Sequence, residues 1–380
     1  MTYLHIQMKV MHIGKYSPPS RGGIESFTFA LAKQQTLDGH HVCLLCHRNN
    51  SLVTKRRQID GLRITEVGTF CKTAFSPISP MFGAKLRQEI RENMPDVIHV
   101  HLPNPAVVFT PLIPRDIPLV VHWHADVHGS PSTVLKLAYP AYKTFEQHLL
   151  SKAKCIIATS PPYLRASRSL RKWRDKCHVV PLGIVPGKAD TEPQPPSQPT
   201  ILSVGRFTYY KGFEHLVRAA ELVPMASFVI AGNGPLHQET ITLVNKMGLQ
   251  DRITLPGEVT DRQLAALFAK SALFCLPSLD RGEAFGMVLL EAMNYGKPLI
   301  STSIPGSGTS WVNKNGVTGI VVPPKDPHNL AKAINFLLKK PELLQKYGRA
   351  ARQRLLSNFT ISNTSESIDK IYKKTIAATI

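Results

Sequence analysis

This sequence is short of acidic residues and has no long apolar run. Twenty-six Asp and Glu stand against 46 Lys and Arg, a net charge of +20. No stretch of ~18 apolar residues occurs, which excludes a membrane-spanning helix. Met1–Val10 holds no apolar core followed by a cleavage site, so no signal peptide is expected, only a short dispensable lead before the first strand. Cysteine is sparse and scattered: Cys43, Cys46, Cys71, Cys155, Cys177 and Cys275. Cys43 and Cys46 have CxxC spacing, but in the apolar run Val42–Cys46 a strand sends them to opposite faces. No second pair or histidine partner accompanies them, which argues against zinc and for a reduced, cytoplasmic protein. There is no DxD sequence, and no GxGxxG follows the first apolar run, which disfavours a dehydrogenase.

What is present is a folded α/β composition over 380 residues, 43% of them hydrophobic. That length exceeds what one core usually supports, so two domains are expected. The positive charge is uneven, with an excess of 13 through residue 190 and of 7 beyond it. Such a field favours phosphates, acidic lipid or nucleic acid without choosing among them.

Short β-branched runs alternate with amphipathic stretches, the pattern of parallel sheets covered by helices. Strands are expected at Lys9–Ile13, His41–His47, Asp96–His101, Leu119–Trp123, Cys155–Thr159 and Cys177–Val180, with a helix from Ile24 to about Gly39. The Pro-rich stretch 186–199 reads as a linker. A second alternation follows, with strands at Thr200–Val204, Ser227–Ala231, Ile253–Leu255, Leu273–Leu276, Pro298–Ser301 and Gly319–Val322. Its helices are expected at Gly212–Leu222, Pro235–Met247, Asp261–Lys270, Phe285–Asn294, Asn329–Leu338 and Pro341–Ser357. The domains are therefore 1–185 and 200–357, with residues 358–380 as a helix crossing back to the first. Two such sheets leave a ligand cleft at the carboxyl ends of their strands.

Four stretches carry chemistry. Glu283 and Glu291 lie eight positions apart in EAFGMVLLE. A helix starting near Phe285 offers the unpaired amides of Phe285, Gly286, Met287 and Val288 to a diphosphate, with Glu291 reaching a ribose and Glu283 a sugar. The alternative is a capping carboxylate and a solvated helix face. In GRFTYYKG, Arg206 and Lys211 sit at a strand's carboxyl end, where they can neutralise a leaving diphosphate; otherwise they are a turn arginine and a surface lysine. Gly22 and Gly23 let backbone approach a phosphate at a helix start, or are simple turn residues. In His122-Trp123-His124-Ala125-Asp126, both histidines share a strand face. A metal reading is disfavoured by the placing of Asp126 and His128. The preferred use is His124 bonding donor-sugar hydroxyls, with Asp126 orienting it or touching the acceptor. His99 and His101 read as loop-packing or acceptor-side groups.

The combination resembles the retaining glycosyltransferases of family 4, which have the GT-B fold of two Rossmann-like domains facing across a cleft. The resemblance runs from Lys9 to about Ser357 and rests on GRFTYYKG, AGNGP (Ala231–Pro235), EAFGMVLLEAM and GVTGIVVPPKD (Gly316–Asp326). It implies that Glu283 faces the donor sugar and Glu291 the ribose. Arg206 and Lys211 then hold the diphosphate, with Gly22, Gly23 and His124 contributing from the first domain. Val259 resembles the position whose backbone contacts the base. Two departures stand out: Val185 replaces an Asp in Pro181-Leu-Gly183-Ile-Val185, and Gly306-Ser-Gly308-Thr-Ser310 replaces a GG-x-x-E. The second is similar to members that build bacterial surface polysaccharides, often with mannose-like sugars.

The implied reaction moves a hexose from a GDP- or UDP-sugar to a glycan or lipid-linked acceptor with retention, without cofactor or metal. Other GT-B enzymes, an epimerase or a phosphorylase, are the nearer rivals. A nucleic-acid binder is the farther one, since its basic runs lack interleaved stacking aromatics. The basic stretch Tyr163–Lys176 is either a surface for anionic lipid or a solvated helix with one packed tryptophan, and it points to a peripheral enzyme on the cytoplasmic face of the inner membrane.

Overall fold

The computed structural model describes residues 7–20, 22–73, 76–127, 133–187 and 198–379. Arg21, His128 and most of the expected linker lie outside them. The chain divides into one unit of Met1–Val185 with Ile361–Ile380, and a second of Pro186–Thr360.

In the first unit the strands are β1 (Lys9–Ile13), β2 (His41–His47), β3 (Lys55–Ile59), β4 (Leu62–Val67), β5 (Cys71–Thr73), β6 (Ser76–Ile78), β7 (Val97–Leu102), β8 (Leu119–Trp123), β9 (Cys155–Ala158) and β10 (Cys177–Val179). Eight of them form one sheet in the order β10-β9-β8-β7-β1-β2-β4-β3, parallel except for the β3–β4 pair. β5 and β6 make a separate ribbon. Strands such as Val97–Leu102 and Leu119–Trp123 are buried along their whole length, as parallel strands under helices must be. The helix Gly23–Leu37 packs beside the C-terminal helix Ile361–Ala377. The β3–β4 hairpin and the helices Phe82–Asn93 and Thr133–Lys152 had no expectation from sequence. All six cysteines are free, and burial pushes both Cys43 and Cys46 up to about 12, so neither is a ready thiolate.

The second unit is a six-stranded parallel sheet of β11 (Thr200–Val204), β12 (Ser227–Ala231), β13 (Ile253–Thr254), β14 (Leu273–Leu276), β15 (Leu299–Thr302) and β16 (Gly319–Val322), in the order β13-β12-β11-β14-β15-β16. Phe213, Leu216 and Val217 on one helix and Leu330, Ile334 and Leu337 on another close its core over Ile201, Phe228 and Ile300. The amphipathic spacing of these leucines and valines drives that packing. Asp261–Lys270 starts on a complete capping box, Thr260 with Gln263.

Two expectations are corrected. The helix expected from Phe285 begins at Met287, because Gly286 takes a left-handed conformation (φ 85°) and ends the preceding loop. Tyr163–Lys176 is not one solvated helix. It is a single turn of helix, Pro161–Ala166, then a 3-10 segment, Arg171–Lys176, interrupted where Ser167 is extended. Trp173 donates Nε1–H to Gln147 and lies under Lys176 Nζ, so its ring is held by protein groups. No helix among the described residues is long and apolar enough to cross a membrane.

Gly212 and Gly257 separate two causes of strain. Both have positive φ, but a Cβ on Gly212 would lie 2.4 Å from Pro277 O, while one on Gly257 meets nothing within 4 Å. Gly257→Ala is expected to cost about 1 kcal/mol and Gly212→Ala about 3 kcal/mol. Urea unfolding measures both, and equal costs would deny the close approach.

Candidate functional site

In the second unit, two loops leave the carboxyl ends of neighbouring strands β11 and β14 and are tied together by an ion pair. Lys211 ends a 3-10 turn, Tyr209–Lys211, and its stem passes over Gly205, where a Cβ would come 3.0 Å from Lys211 Cε. Its Nζ lies 2.6 Å from Glu283 Oε2, and both side chains are only 10% exposed. Ser278 donates a hydrogen bond to the same carboxylate oxygen at 3.0 Å, and the backbone joins the loops through Leu279 N–H and Tyr210 O at 2.7 Å. Burial, the largest single effect, pushes the Lys211 ammonium down, but Glu283, with Tyr210 and Glu291, more than offsets this and holds its pKa above the lysine value.

The AGNGP loop supports this arrangement from beneath. Gly205 N–H and Phe207 N–H donate to Ala231 O and Asn233 O, each at 3.0 Å. A Cβ on Gly232 would lie 2.0 Å from Gly205 O, so only glycine lets the two loops touch. Arg206, in the same loop, is exposed.

Beyond Glu283, Phe285 is buried against Trp311 and Phe359, so its side chain is core and only its backbone faces the loop. Gly286 caps the helix Met287–Asn294, and the Leu289 amide is taken by Gly286 O. The amides of Met287 and Val288 are therefore those left at the helix start for an anion. One turn on, Glu291 is pushed up to about 7: burial is the largest cause, Lys211 opposes it and Asp261 adds to it. Val259 immediately precedes the capping box at Thr260. Lys211, Glu283, the helix start and Glu291 thus form one continuous feature, with Arg206 in the adjoining loop.

In the first unit, Gly22 caps the helix Gly23–Leu37 in an extended conformation. The first-turn Glu25 folds back over it, so that a Cβ on Gly22 would lie 2.2 Å from Glu25 Oε2. An anion reaching this helix start must displace that carboxylate. Phe27 sits edge-on to the rings of His122 and His124 at 5.1 and 5.4 Å, placing the helix against the HWHAD stretch.

His124 follows β8 and is buried. Its Nε2 meets His101 Nδ1 at 3.0 Å, while its Nδ1 has no partner among the described residues. The orienting group is therefore His101. Asp126 instead accepts from Trp123 Nε1 at 2.9 Å and Ser167 Oγ at 2.7 Å, which fixes the loop. His99 and His101 are likewise corrected: both are buried strand residues of β7. Strand register places His12 beside His99 and His101 beside His122, so with His124 five imidazoles share one sheet face. Two triads, His12-His99-His101 and His101-His122-His124, bring ring nitrogens within 4.8 Å of one another. Yet the rings of the second triad stack within 22° of parallel, and parallel rings aim their lone pairs alongside one another rather than at a common ion. His12, Gln35, Asp369 and Tyr372 were missed from sequence; only the folded register brings them here.

The two units have opposite pH responses. Burial lowers His12 to about 4 and His124 to about 3, and drives His99, His101 and His122 down as well. As pH falls from 6.5 towards 4, the unfolded chain binds protons that the folded first unit refuses. Its stability drops there by about 1.4 kcal/mol per pH unit for each such histidine. Glu291 works in reverse: folded, it keeps its proton to about 7, so stability falls as pH rises from 4.5 to 7. Among the described residues His122 has no hydrogen-bond partner at either nitrogen, so His122→Leu should raise the melting temperature more at pH 5 than at pH 7.5. Glu291→Gln should stabilise the second unit by about 2 kcal/mol at pH 8 and little at pH 4.5. Melting scans across pH check both signs, and pH-independent effects would contradict the assigned causes.

Comparison with known proteins places this arrangement. Residues 188–354 match the model of glycosyl transferases group 1, and residues 21–188 that of glycosyltransferase family 4. The chain is 30% identical to the O-antigen chain mannosyltransferase C of Escherichia coli over 96% of this chain and 98% of that one. It is 31% identical to the D-rhamnosyltransferase WbpZ of Pseudomonas aeruginosa, over 93% and 92%. Anabaena HepE, solved in complex with UDP and glucose, shares the fold with a TM-score of 0.76 at 18% identity, over 97% of this chain and 100% of that one. The fold is thus GT-B, built here from two Rossmann-like units, and the chain belongs to the family 4 glycosyltransferases.

Proposed function

We propose that this glycosyltransferase moves a mannose-like or glucose-like hexose, with retention of configuration, from a GDP- or UDP-sugar to a lipid-linked glycan during surface polysaccharide synthesis. The observation that carries this reading is the buried Lys211–Glu283 pair beside the N-terminus of the helix Met287–Asn294. A diphosphate at the Met287 and Val288 amides would be met by Lys211 and Arg206, cations suited to a leaving group that gains negative charge. Glu283, anchored by Ser278, would face the hexose and the positive charge developing at its anomeric carbon. Glu291 would receive the ribose hydroxyls and Val259 would contact the base through its backbone, while His124, Gly22 and Gly23 are the donor-binding residues assigned to the first unit. In this reading the protein's own cations do the work of a metal, and none is required.

Family membership sets aside the epimerase, phosphorylase and nucleic-acid readings. For the acceptor, support comes from relatives named for O-antigen mannosyl and D-rhamnosyl transfer. For the donor, HepE is complexed with UDP and glucose. The exposed Arg165, Arg168, Arg171, Lys172 and Arg174 favour an anionic lipid surface by charge, at the cytoplasmic face of the inner membrane.

Thermal-shift titration with UDP, GDP, ADP and their hexose conjugates tests the donor site. One nucleotide should stabilise the protein selectively, by about 2.7 kcal/mol at a hundred times its Kd. Glu291→Ala and a Lys211→Met/Glu283→Gln double variant, which leaves no lone buried charge, should lose the shift. Absence of any shift in folded wild type would overturn the reading.

A further inference from the structure

Around the ribbon β5–β6 of the first unit, the usual order of polar outside and apolar inside is reversed. The polar Thr69 and Ser79 are buried, and Ser79 Oγ lies 2.9 Å from His47 Nδ1. The apolar Phe70 and Ile78 beside them face water instead, Phe70 being 70% exposed. Phe70 N–H donates to Ile78 O at 2.8 Å and Cys71 opposes Ile78, which fixes that alternation. The ribbon is no part of the eight-stranded sheet, so these side chains cover no core. The segment 49–54 is tied to the same projection. Thr69 N–H donates to Ser51 O at 2.7 Å, and Lys72 Nζ donates to the side chains of Asn49 and Asn50. A Cβ on Gly68 would lie 1.9 Å from Leu52 O, so only glycine admits this close approach. Leu52 and Val53 are exposed, as is Met81 just before the helix Phe82–Asn93. Cations accompany these residues and carboxylates do not. Arg48–Ile59 and Val67–Gln88 together hold seven Lys and Arg and no Asp or Glu. The two carboxylates between them are engaged, Asp60 by Lys33 and Glu66 by Arg57.

We infer that this projection is a membrane-docking surface, from which Leu52, Val53, Phe70, Ile78 and Met81 enter the interface of an anionic phospholipid bilayer while Arg48, Lys55 and Lys72 meet its phosphates. The inference rests on the lipid-surface reading above and adds to the arginines of 165–174 a contact of a different kind. Those arginines act through charge alone, which salt screens. Apolar side chains gain by leaving water whatever the salt, and the cations beside them add attraction to acidic headgroups. A bilayer offers an apolar interior and phosphates in one surface, which matches this pattern. A protein partner matches it less closely, since lysine is depleted from protein interfaces. The bonds of Ser79, Thr69 and Lys72 hold the projection in shape beforehand, so docking has little chain to order. Both segments leave the carboxyl ends of β2 and β4, and docking turns those strand ends towards the bilayer.

Cosedimentation of the full-length protein with vesicles of phosphatidylcholine, alone or mixed with phosphatidylglycerol, tests the surface. Wild type should bind the mixed vesicles, and part of that binding should survive salt that screens surface charge. Leu52→Ser/Phe70→Ser removes two exposed side chains and leaves the core intact; it should weaken partition by about tenfold or more. Its Kd for the nucleoside diphosphate should equal that of wild type. Cys71, the one exposed cysteine of the six, reports the depth of docking when it carries a nitrobenzoxadiazole probe in a Cys177→Ser background. Its emission should shift to the blue on binding and be quenched by nitroxide-labelled acyl chains. Unchanged partition of the double variant, or an unquenched probe on bound protein, would overturn the inference. If Arg165→Ser/Arg171→Ser then abolishes binding, the lipid-surface reading stands without it. A vesicle-free wild-type dimer that the double variant disperses would overturn it in favour of a second copy of the chain. A wild type that binds neither vesicle would remove both the inference and the lipid-surface reading, and leave the donor site as it is.

Discussion

The second unit is organised around one buried ion pair, Lys211 with Glu283. Two charges out of water are expensive, and each is tolerable here only because the other lies 2.6 Å away. Deleting one partner of such a pair typically costs about 3–5 kcal/mol, since the survivor stays buried and uncompensated. That constraint explains the glycines around it. Gly205 leaves room for the lysine stem, Gly212 lets the turn approach the β14 loop, and Gly232 lets the AGNGP loop back both. The same pair sets the local electrostatics, because Lys211 moderates the rise that burial imposes on Glu291. A cation, a carboxylate and a helix N-terminus are held together by these contacts, which is the preorganisation that charge-separating chemistry needs.

The first unit handles polarity differently. It lines five buried imidazoles along one sheet face, and burial keeps them neutral. Neutral rings avoid the desolvation cost of charge, but they demand a consistent assignment of donors and acceptors along the chain of bonds. The helix Ile361–Ala377 supplies that consistency through Asp369, and Tyr372 on the same helix meets His99 Nδ1 at 2.5 Å. A segment at the far end of the sequence thus completes a polar network in the first sheet.

The parts legible in the sequence were those encoded locally. Buried parallel strands announce themselves as apolar runs, and Lys9–Ile13, His41–His47, Leu119–Trp123, Thr200–Val204, Ser227–Ala231, Leu273–Leu276 and Gly319–Val322 stand where their composition placed them. Glu283, Lys211 and Glu291 could be singled out because a motif and a strand end are local features. The imidazole cluster was not legible: His12, Gln35, His101 and Asp369 are brought together only by parallel register and helix docking. The start of the helix at Met287 turned on the left-handed Gly286, a backbone choice that composition does not dictate. The hairpin β3–β4 escaped because KRRQI is too polar to read as a strand, and edge position rather than burial accounts for it. In Tyr163–Lys176 the basic residues allowed one solvated helix, but the extended Ser167 ends the helix at Ala166.

The central proposal is that the second unit binds a nucleotide-bound hexose whose configuration is kept on transfer. Proton NMR of the first-formed product, followed in real time from a donor of known anomeric configuration, tests it most directly. The account predicts that the new linkage has the donor's configuration from the first detectable signal. Initial formation of the opposite anomer would contradict it.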